Sequence, residues 1–339
     1  MKVSILMPCY NAGKYLKRAV EAVQASTMQD FEIIILDDGS TDDTFKIGLN
    51  LRSKDNRIRV YRREEKGFAV TFNELLDKAK GEFVLNVDPD DWIDPTMIET
   101  MLEWFDDDTD FVKCGFWFEY PERSIKYQYT TEPAEFCPRK LPPDAKMAFF
   151  ASQVAIWSML IRRSFIEKHH IRLNPTPGAA YQDTFFVWQL NTLAEKVRLI
   201  PDKLYHYNKA NENASTKSPR YPFAPAVEYG RITRWCFEHP EYGIYVRSVL
   251  CRARFGSYLW NMTRINRKDR PEFAKLAQAD FEDDWNYIDV RMFSQREYDI
   301  FMTGKDDPES FIEIFNKGED NANTVSNADD GQHTDTDGE

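Results

Sequence analysis

Three apolar runs in the first 91 residues break off abruptly into proline or acids, and this pattern constrains the fold more than any other feature of the chain. Val3-Ser4-Ile5-Leu6-Met7 ends at Pro8, Phe31 to Leu36 ends at Asp37-Asp38-Gly39-Ser40, and Phe83 to Val87 ends at Asp88-Pro89-Asp90-Asp91. Runs this short, bounded by turn residues, read as buried strands. Ile58–Tyr61 and Phe111–Phe118 read as two more. Between the first two strands Tyr15, Leu16, Ala19, Val20 and Val23 recur at helical spacing, with Asn11 expected as the cap. Ser40 with Asp43 resembles a capping box, Phe68–Ala79 is a helix stopped by Gly81, and Pro95 behind Asp94 marks another helix start. Strands that alternate with helices predict an α/β fold, with a mostly parallel central sheet flanked by helices. Ligands of such sheets sit beyond the carboxyl ends of the strands, where these polar loops fall.

The remainder is less regular. Residues 119–155 carry prolines at 121, 133, 138, 142 and 143 and are expected to form a flap or insertion. After Trp157–Arg162, Asp183 is expected to open an amphipathic helix reaching about Glu195. Residues 222–315 are expected to be mostly helical; Val246, Val249, Leu250 and Ala253 show the period, and Pro240 and Pro271 separate segments. The expected division is 1–216, with halves 1–118 and 119–216, then a helical region 217–318, then a tail 319–339. That tail has seven acids and no Lys, Arg or aromatic residue, so it is expected to be disordered.

Charge narrows the partners. The net charge of −12 opposes phosphate attraction, and nucleic acid is not expected as a ligand. Residues 220–275 hold eleven Lys or Arg against five acids. Two readings stay open for them: a solvated helical surface, or docking on anionic lipid head groups. The five cysteines contain no CxxC pair, which argues against a zinc site or disulfide framework and for reduced thiols. The N-terminal apolar run is too short for a signal peptide, and no stretch is long enough to span a membrane. A cytoplasmic protein is expected, with any membrane contact peripheral at the inner face.

The acids at the strand ends suggest chemistry. Asp88, Asp90 and Asp91 offer the oxygen ligands that Mg²⁺ and Mn²⁺ prefer, or form an ordinary polar loop. An EF-hand is excluded, because Ile93 stands where that loop needs glycine. Asp37 and Asp38 suit a base and ribose, or a plain βα turn. Tyr10 suits stacking on a base, or packing. His206, between Tyr205 and Tyr207, suits a metal or diphosphate, or a strand edge. GxGxxG and GxxxxGK[ST] are absent.

Taken together, Val3 to Asn11, Phe31 to Asp42, and Ala79-Lys80-Gly81-Glu82-Phe83 leading into Asp88–Asp91 resemble glycosyltransferase family 2, with its GT-A nucleotide-diphospho-sugar transferase fold. Tyr181-Gln182-Asp183-Thr184 resembles its acidic motif before a helix, and Trp157–Arg163 and Tyr205–Tyr207 are similar to bacterial polysaccharide members. The resemblance covers residues 1–216 and implies a GT-A (Rossmann-like) domain with a C-terminal helical extension. It implies a nucleotide-sugar site at Pro8, Tyr10, Asn11, Asp37, Asp38, Lys66, Asn73 and Asp88, with Asp38 on the imide edge of the base. It implies Mn²⁺ or Mg²⁺ at Asp90, Asp91 and His206, and Asp183 as catalytic base of an inverting transfer. The expected donor is a UDP-sugar and the acceptor a glycan, lipid-linked or other hydroxyl. The chain departs from the family at Phe72, where an Arg is usual and Lys66 is the nearby cation, and at Gln182, where a Glu-Asp pair becomes Gln182-Asp183. Without a Gln-x-x-Arg-Trp motif or membrane helices, single-sugar transfer is expected rather than polymerisation. A degenerate nucleotide- or glycan-binding module and a nucleotidyltransferase are the rival readings.

Overall fold

A computed structural model describes residues 1–176, 181–212 and 221–317; the acidic stretch 319–339, expected to be disordered, lies outside the described residues. Ten strands form one sheet: β1 (Val3–Cys9), β2 (Phe31–Asp38), β3 (Ile58–Arg63), β4 (Phe83–Asn86), β5 (Trp92–Ile93), β6 (Phe111–Glu119), β7 (Ser124–Tyr127), β8 (Ala134–Phe136), β9 (Met159–Arg162) and β10 (Val197–Asn208). The helices are α1 (Leu16–Gln24), α2 (Thr44–Arg52), α3 (Phe68–Lys78), α4 (Met97–Glu103), α5 (Pro143–Phe150), α6 (Arg163–Lys168), α7 (Gln182–Leu193), α8 (Ala224–Glu238), α9 (Pro240–Met262), α10 (Arg270–Asp284) and α11 (Gln295–Asp306). The sheet order is β3-β2-β1-β4-β9-β6-β10-β5, with β7 added to β6 and β8 to β10. β3, β2, β1 and β4 run parallel, β9 is antiparallel to β4 and β6, and β10 returns parallel to β6. The stretch 119–155, expected to be irregular, supplies β7, β8 and α5.

Two compact units divide the chain, one from 1–218 with 228–246, the other from 219–227 with 247 onward. In the first, the isoleucines and leucines of β1 and β2 are all buried, as strands covered on both faces require. β1 runs through Pro8, which was expected to end it. Leu6 and Lys2 accept bonds from the β4 side, so by the two-residue strand period Pro8 faces that side too. The β1–β4 pairing stops at Leu6, so the missing N–H of Pro8 costs no ladder bond.

The expected helix starts need correction. Tyr15, not Asn11, precedes α1, and Asn11 sits in the left-handed region at φ 48°. Asp43 precedes α2 without a side-chain cap, and Thr96 precedes α4. α7 is not amphipathic: Gln182 and every residue from Thr184 to Leu193 are buried. A helix enclosed on all sides has no polar face to advertise itself. In the second unit α10 and α11 pack around Phe255, Phe281, Phe301 and Phe311, all fully buried. Arg254 is buried there too, 2.8 Å from Asp280 and 3.4 Å from Asp284.

Candidate active site

The parallel register puts the first two loops side by side. Cys9 at the end of β1 lies opposite Asp37, and Asp37 and Asp38 lie opposite Arg62 and Arg63 of β3. Asn11 knits the loops together: its N–H donates to Ser40 Oγ (2.9 Å) and its Oδ1 accepts from the Thr41 N–H (2.9 Å). Asp37 is buried, accepts from the Ser40 N–H (3.3 Å) and pairs with Arg62 Nε at 3.1 Å. Gly39, at φ 78°, has the Glu65 backbone so close that a Cβ would lie 2.7 Å from its nitrogen, a fit only glycine allows. An open hollow of about 530 Å³ beside this turn is lined by Gly39, Arg62, Arg63, Glu64 and Glu65. Tyr10, expected against a base, is 49% exposed, and Lys66 is exposed.

Asp38, expected at the base, also holds the loop after β3. Its Oδ1 accepts from Arg63 Nε (2.9 Å) and the Lys66 N–H (3.0 Å), and its Oδ2 from the Gly67 N–H (2.8 Å). With 4% exposure and three donors bonded, it anchors the 63–67 loop. Asn73, expected at the nucleotide-sugar, exchanges two 2.9 Å hydrogen bonds with the backbone of Leu173 through its amide. Phe72, at the family's Arg position, is buried edge-on against Phe186 of α7, with centroids 5.5 Å apart. That position faces the core in this chain, so no cation could occupy it cheaply.

The loop after β4 sorts its acids by direction. Asp88 is half-buried, accepts from Asn86 Nδ2 (2.8 Å), and its N–H donates to Tyr205 Oη (3.1 Å). Burial pushes its carboxyl up to about 7, helped by the like charges of Asp90 and Asp183. Asp90 Oδ2 accepts from Asn211 Nδ2 (2.7 Å), and its carbonyl accepts from Arg18 (2.6 Å), whose guanidinium covers the Trp92 ring. Asp91, expected at the metal, is fully buried; Tyr205 Oη donates to one oxygen (2.7 Å) and the Asn208 N–H to the other (2.8 Å). It therefore pins the loop to β10. His206, expected at the metal, has its Nδ1 2.7 Å from Glu119 Oε1, and its ring stacks on Trp92, centroids 5.2 Å apart; a carboxylate on one ring nitrogen leaves Nε2 to face a ligand.

Asp183 lies one residue inside α7, behind Tyr181, which takes a left-handed φ of 64°. Burial raises its carboxyl to about 6, against the pull of backbone N–H groups at the helix start and the charge of Lys113. Lys113 of β6 is a site residue that the motifs did not flag, although a lone lysine inside an otherwise apolar strand was the available signal. It is 1% exposed, donates to the Gln153 carbonyl (3.0 Å) and lies 3.9 Å from the Tyr129 ring centroid. Burial lowers it to about 7.

The charges show which groups share a neighbourhood. The Cys9 thiol is raised first by burial and then by Asp37, Asp88 and Asp90 together, while Asp88 senses Asp183. Acids from two strand-end loops and the start of α7 thus share one field beside the end of β1, while Asp38, Asn73 and Asp91 also hold neighbouring backbone. Asp88 is pressed toward its neutral form by burial and like charge, and Asn86 alone opposes this. Two hard oxygen donors in excess negative charge suit a divalent cation, so Asp88 and Asp90 fit one. Among the described residues no three His, Cys, Asp or Glu side chains are grouped as a closed cage. A cation here would keep open positions for ligand oxygens.

Comparison with known proteins identifies the family and the fold. The sequence model described as Glycosyl transferase family 2 matches residues 4–169. The glycosyltransferase GlyG of Streptococcus pneumoniae serotype 4 is 30% identical over 219 residues, 61% of this chain and 70% of its own. EpsH of Bacillus subtilis is 33% identical over 213 residues, and the match spans only 60% of either chain. S. aureus TarS, solved with UDP-GlcNAc, superposes with a TM-score of 0.74 at 17% identity over 95% of this chain and 92% of that one, a likeness of fold. With 30% identity over most of a relative's length and the family's sequence model matched, the chain belongs to glycosyltransferase family 2.

Proposed function

We propose that this chain is a metal-dependent, inverting glycosyltransferase that moves one sugar from a nucleoside-diphosphate donor to an acceptor hydroxyl. The donor is a UDP-sugar, a reading supported by the UDP-GlcNAc bound to the TarS fold relative. The acceptor is a glycan or a lipid-linked sugar in cell-surface polysaccharide synthesis, reached in the cytoplasm at the inner face of the membrane. The observation that carries the proposal is the shared field of Asp88, Asp90 and Asp183, which come from elements about ninety residues apart.

Asp183 serves as general base. At about 6 its carboxyl is largely ionised at pH 7 to 8, yet its proton affinity exceeds that of a solvated aspartate, so it can take a hydroxyl proton as the oxygen attacks the anomeric carbon. The bond to the diphosphate breaks on the opposite face, and the anomeric centre inverts. Tyr10 and Asp37 flank the base end of the donor and Lys66 its diphosphate. Asp90, with Asp88, would hold Mn²⁺ or Mg²⁺, whose charge when bound offsets that of the departing diphosphate.

In the Asp183→Asn variant transfer should fall about 10²–10⁴-fold while UDP-sugar binding, followed by calorimetry with Mn²⁺, is retained. Equal transfer rates would remove Asp183 from this role. Release of UDP by the wild type separates an enzyme from a module that only binds.

A further inference from the structure

Gln182 stands where the family has the first acid of a Glu-Asp pair, and its amide is used at both ends. Its Oε1 accepts from the Ala69 N–H at the start of α3 (3.2 Å), and its Nε2 donates to the Thr176 carbonyl and to Thr176 Oγ1 (3.0 Å). A carboxylate could accept but not donate there. The Thr176 hydroxyl in turn donates to Glu228 Oε1 (3.0 Å), which also accepts from Asn174 Nδ2 (3.2 Å). A continuous relay therefore runs from Gln182 through Thr176 to Glu228 of α8, all within one compact unit.

Glu228 is 1% exposed, and its Oε2 is buried without a hydrogen-bond partner. A mere brace gains nothing from that, since a glutamine would accept the same two bonds without an ionisable group. Burial raises Glu228 to about 7 against the pull of its hydrogen bonds from Thr176 and Asn174, with a smaller push from the charge of Asp183. Lys113 from β6 acts on Asp183, and the charge of Asp183 is felt by Asp88 of the β4 loop and by Glu228 of α8; Arg231, one turn along α8, covers the Phe185 ring and pairs with Glu238.

We propose that Glu228 is the relocated partner of Asp183, a positioning residue that acts through the Thr176–Gln182 link and supplies the second carboxyl that the Gln182 position no longer carries. This rests on Asp183 being the base. Ionisation of Glu228 strengthens that base, so kcat should climb with pH in two steps, Asp183 first and Glu228 second.

The test uses the full chain, UDP-sugar and Mn²⁺. Glu228→Gln keeps the acceptor oxygen, so melting temperature and donor KM should stay unchanged, while kcat falls about tenfold and the second pH step disappears. Gln182→Glu should also lower kcat, because it cannot donate to Thr176. The double variant Gln182→Glu with Glu228→Gln returns the acid to its family position and should recover to within about threefold of wild type. A wild-type kcat with two pH steps in Glu228→Gln, a joint loss of kcat, donor KM and melting temperature, or single effects that simply multiply in the double variant would each overturn the proposal. An active Asp183→Asn variant would instead overturn the underlying reading.

Discussion

Lys113 is a cation that opposes the desolvation of Asp183, after the backbone N–H groups at the start of α7. Lys113→Met should push the Asp183 carboxyl up and move the acid limb of kcat/KM to higher pH by roughly one unit. An unmoved limb would mean that the backbone dipoles of α7 suffice. The same substitution has a stability signature. Folding depresses Lys113 from 10.5 to about 7, so between those values the unfolded chain binds a proton that the folded chain does not. Stability should therefore rise with pH across that window in the wild type, and this contribution should vanish in the Met variant; urea titrations at pH 7 and 9.5 measure it. Asp90→Ala makes a separate demand. It removes the proposed cation ligand but leaves the Asp91 bonds to Tyr205 and Asn208 intact, so the fold should survive while Mn²⁺-dependent UDP binding is lost. Calorimetry that finds the same Mn²⁺ dependence in this variant would move the cation elsewhere.

Elements differ in how plainly the sequence announces them. β1, β2 and β4 were legible because a short apolar run between turn residues has few alternatives. Helix starts were not. Asn11, Ser40 and Asp94 have the chemistry of caps, but Asn11 and Ser40 bind each other's loops and Asp94 turns back on Thr96, partnerships that chain folding alone sets up. The motif after β4 indicated an acidic site but not its division of labour: Asp90 and Asp91 are adjacent and chemically alike, and only the packing of β10 consumes Asp91. Glu228 carried no signal at all, being an ordinary acid in a helix far from any motif. Phe72 of α3 is the instructive departure. If its position has become core, restoring the family's residue by Phe72→Arg should not repair a donor contact but bury a guanidinium against Phe186, at a cost of about 3 kcal/mol or more in urea unfolding. A variant as stable as wild type that binds UDP more tightly would show that the position opens toward the donor.

At the scale of the whole molecule, the catalytic reading concerns one compact unit, while the second must be stable for reasons of its own. Its core is a cluster of phenylalanines, and Gly304 of α11 sits so close to Phe281 that a Cβ would lie 2.8 Å from that ring. Helices that approach this closely leave little room for relaxation, so a cavity there should stay open and be expensive. Phe281→Ala is expected to destabilise its unit by about 3–5 kcal/mol. Separate cores imply separate opening equilibria. Hydrogen exchange should then quicken across α10 and α11, where the Phe281 cluster lies, and leave the amides of β1, β2 and β4 protected as in the wild type. UDP binding, proposed for the first unit, should persist in the same sample. If protection instead fell equally in the sheet strands, the two units would unfold as one cooperative body, and the C-terminal helices would be part of what holds the acids of the site together.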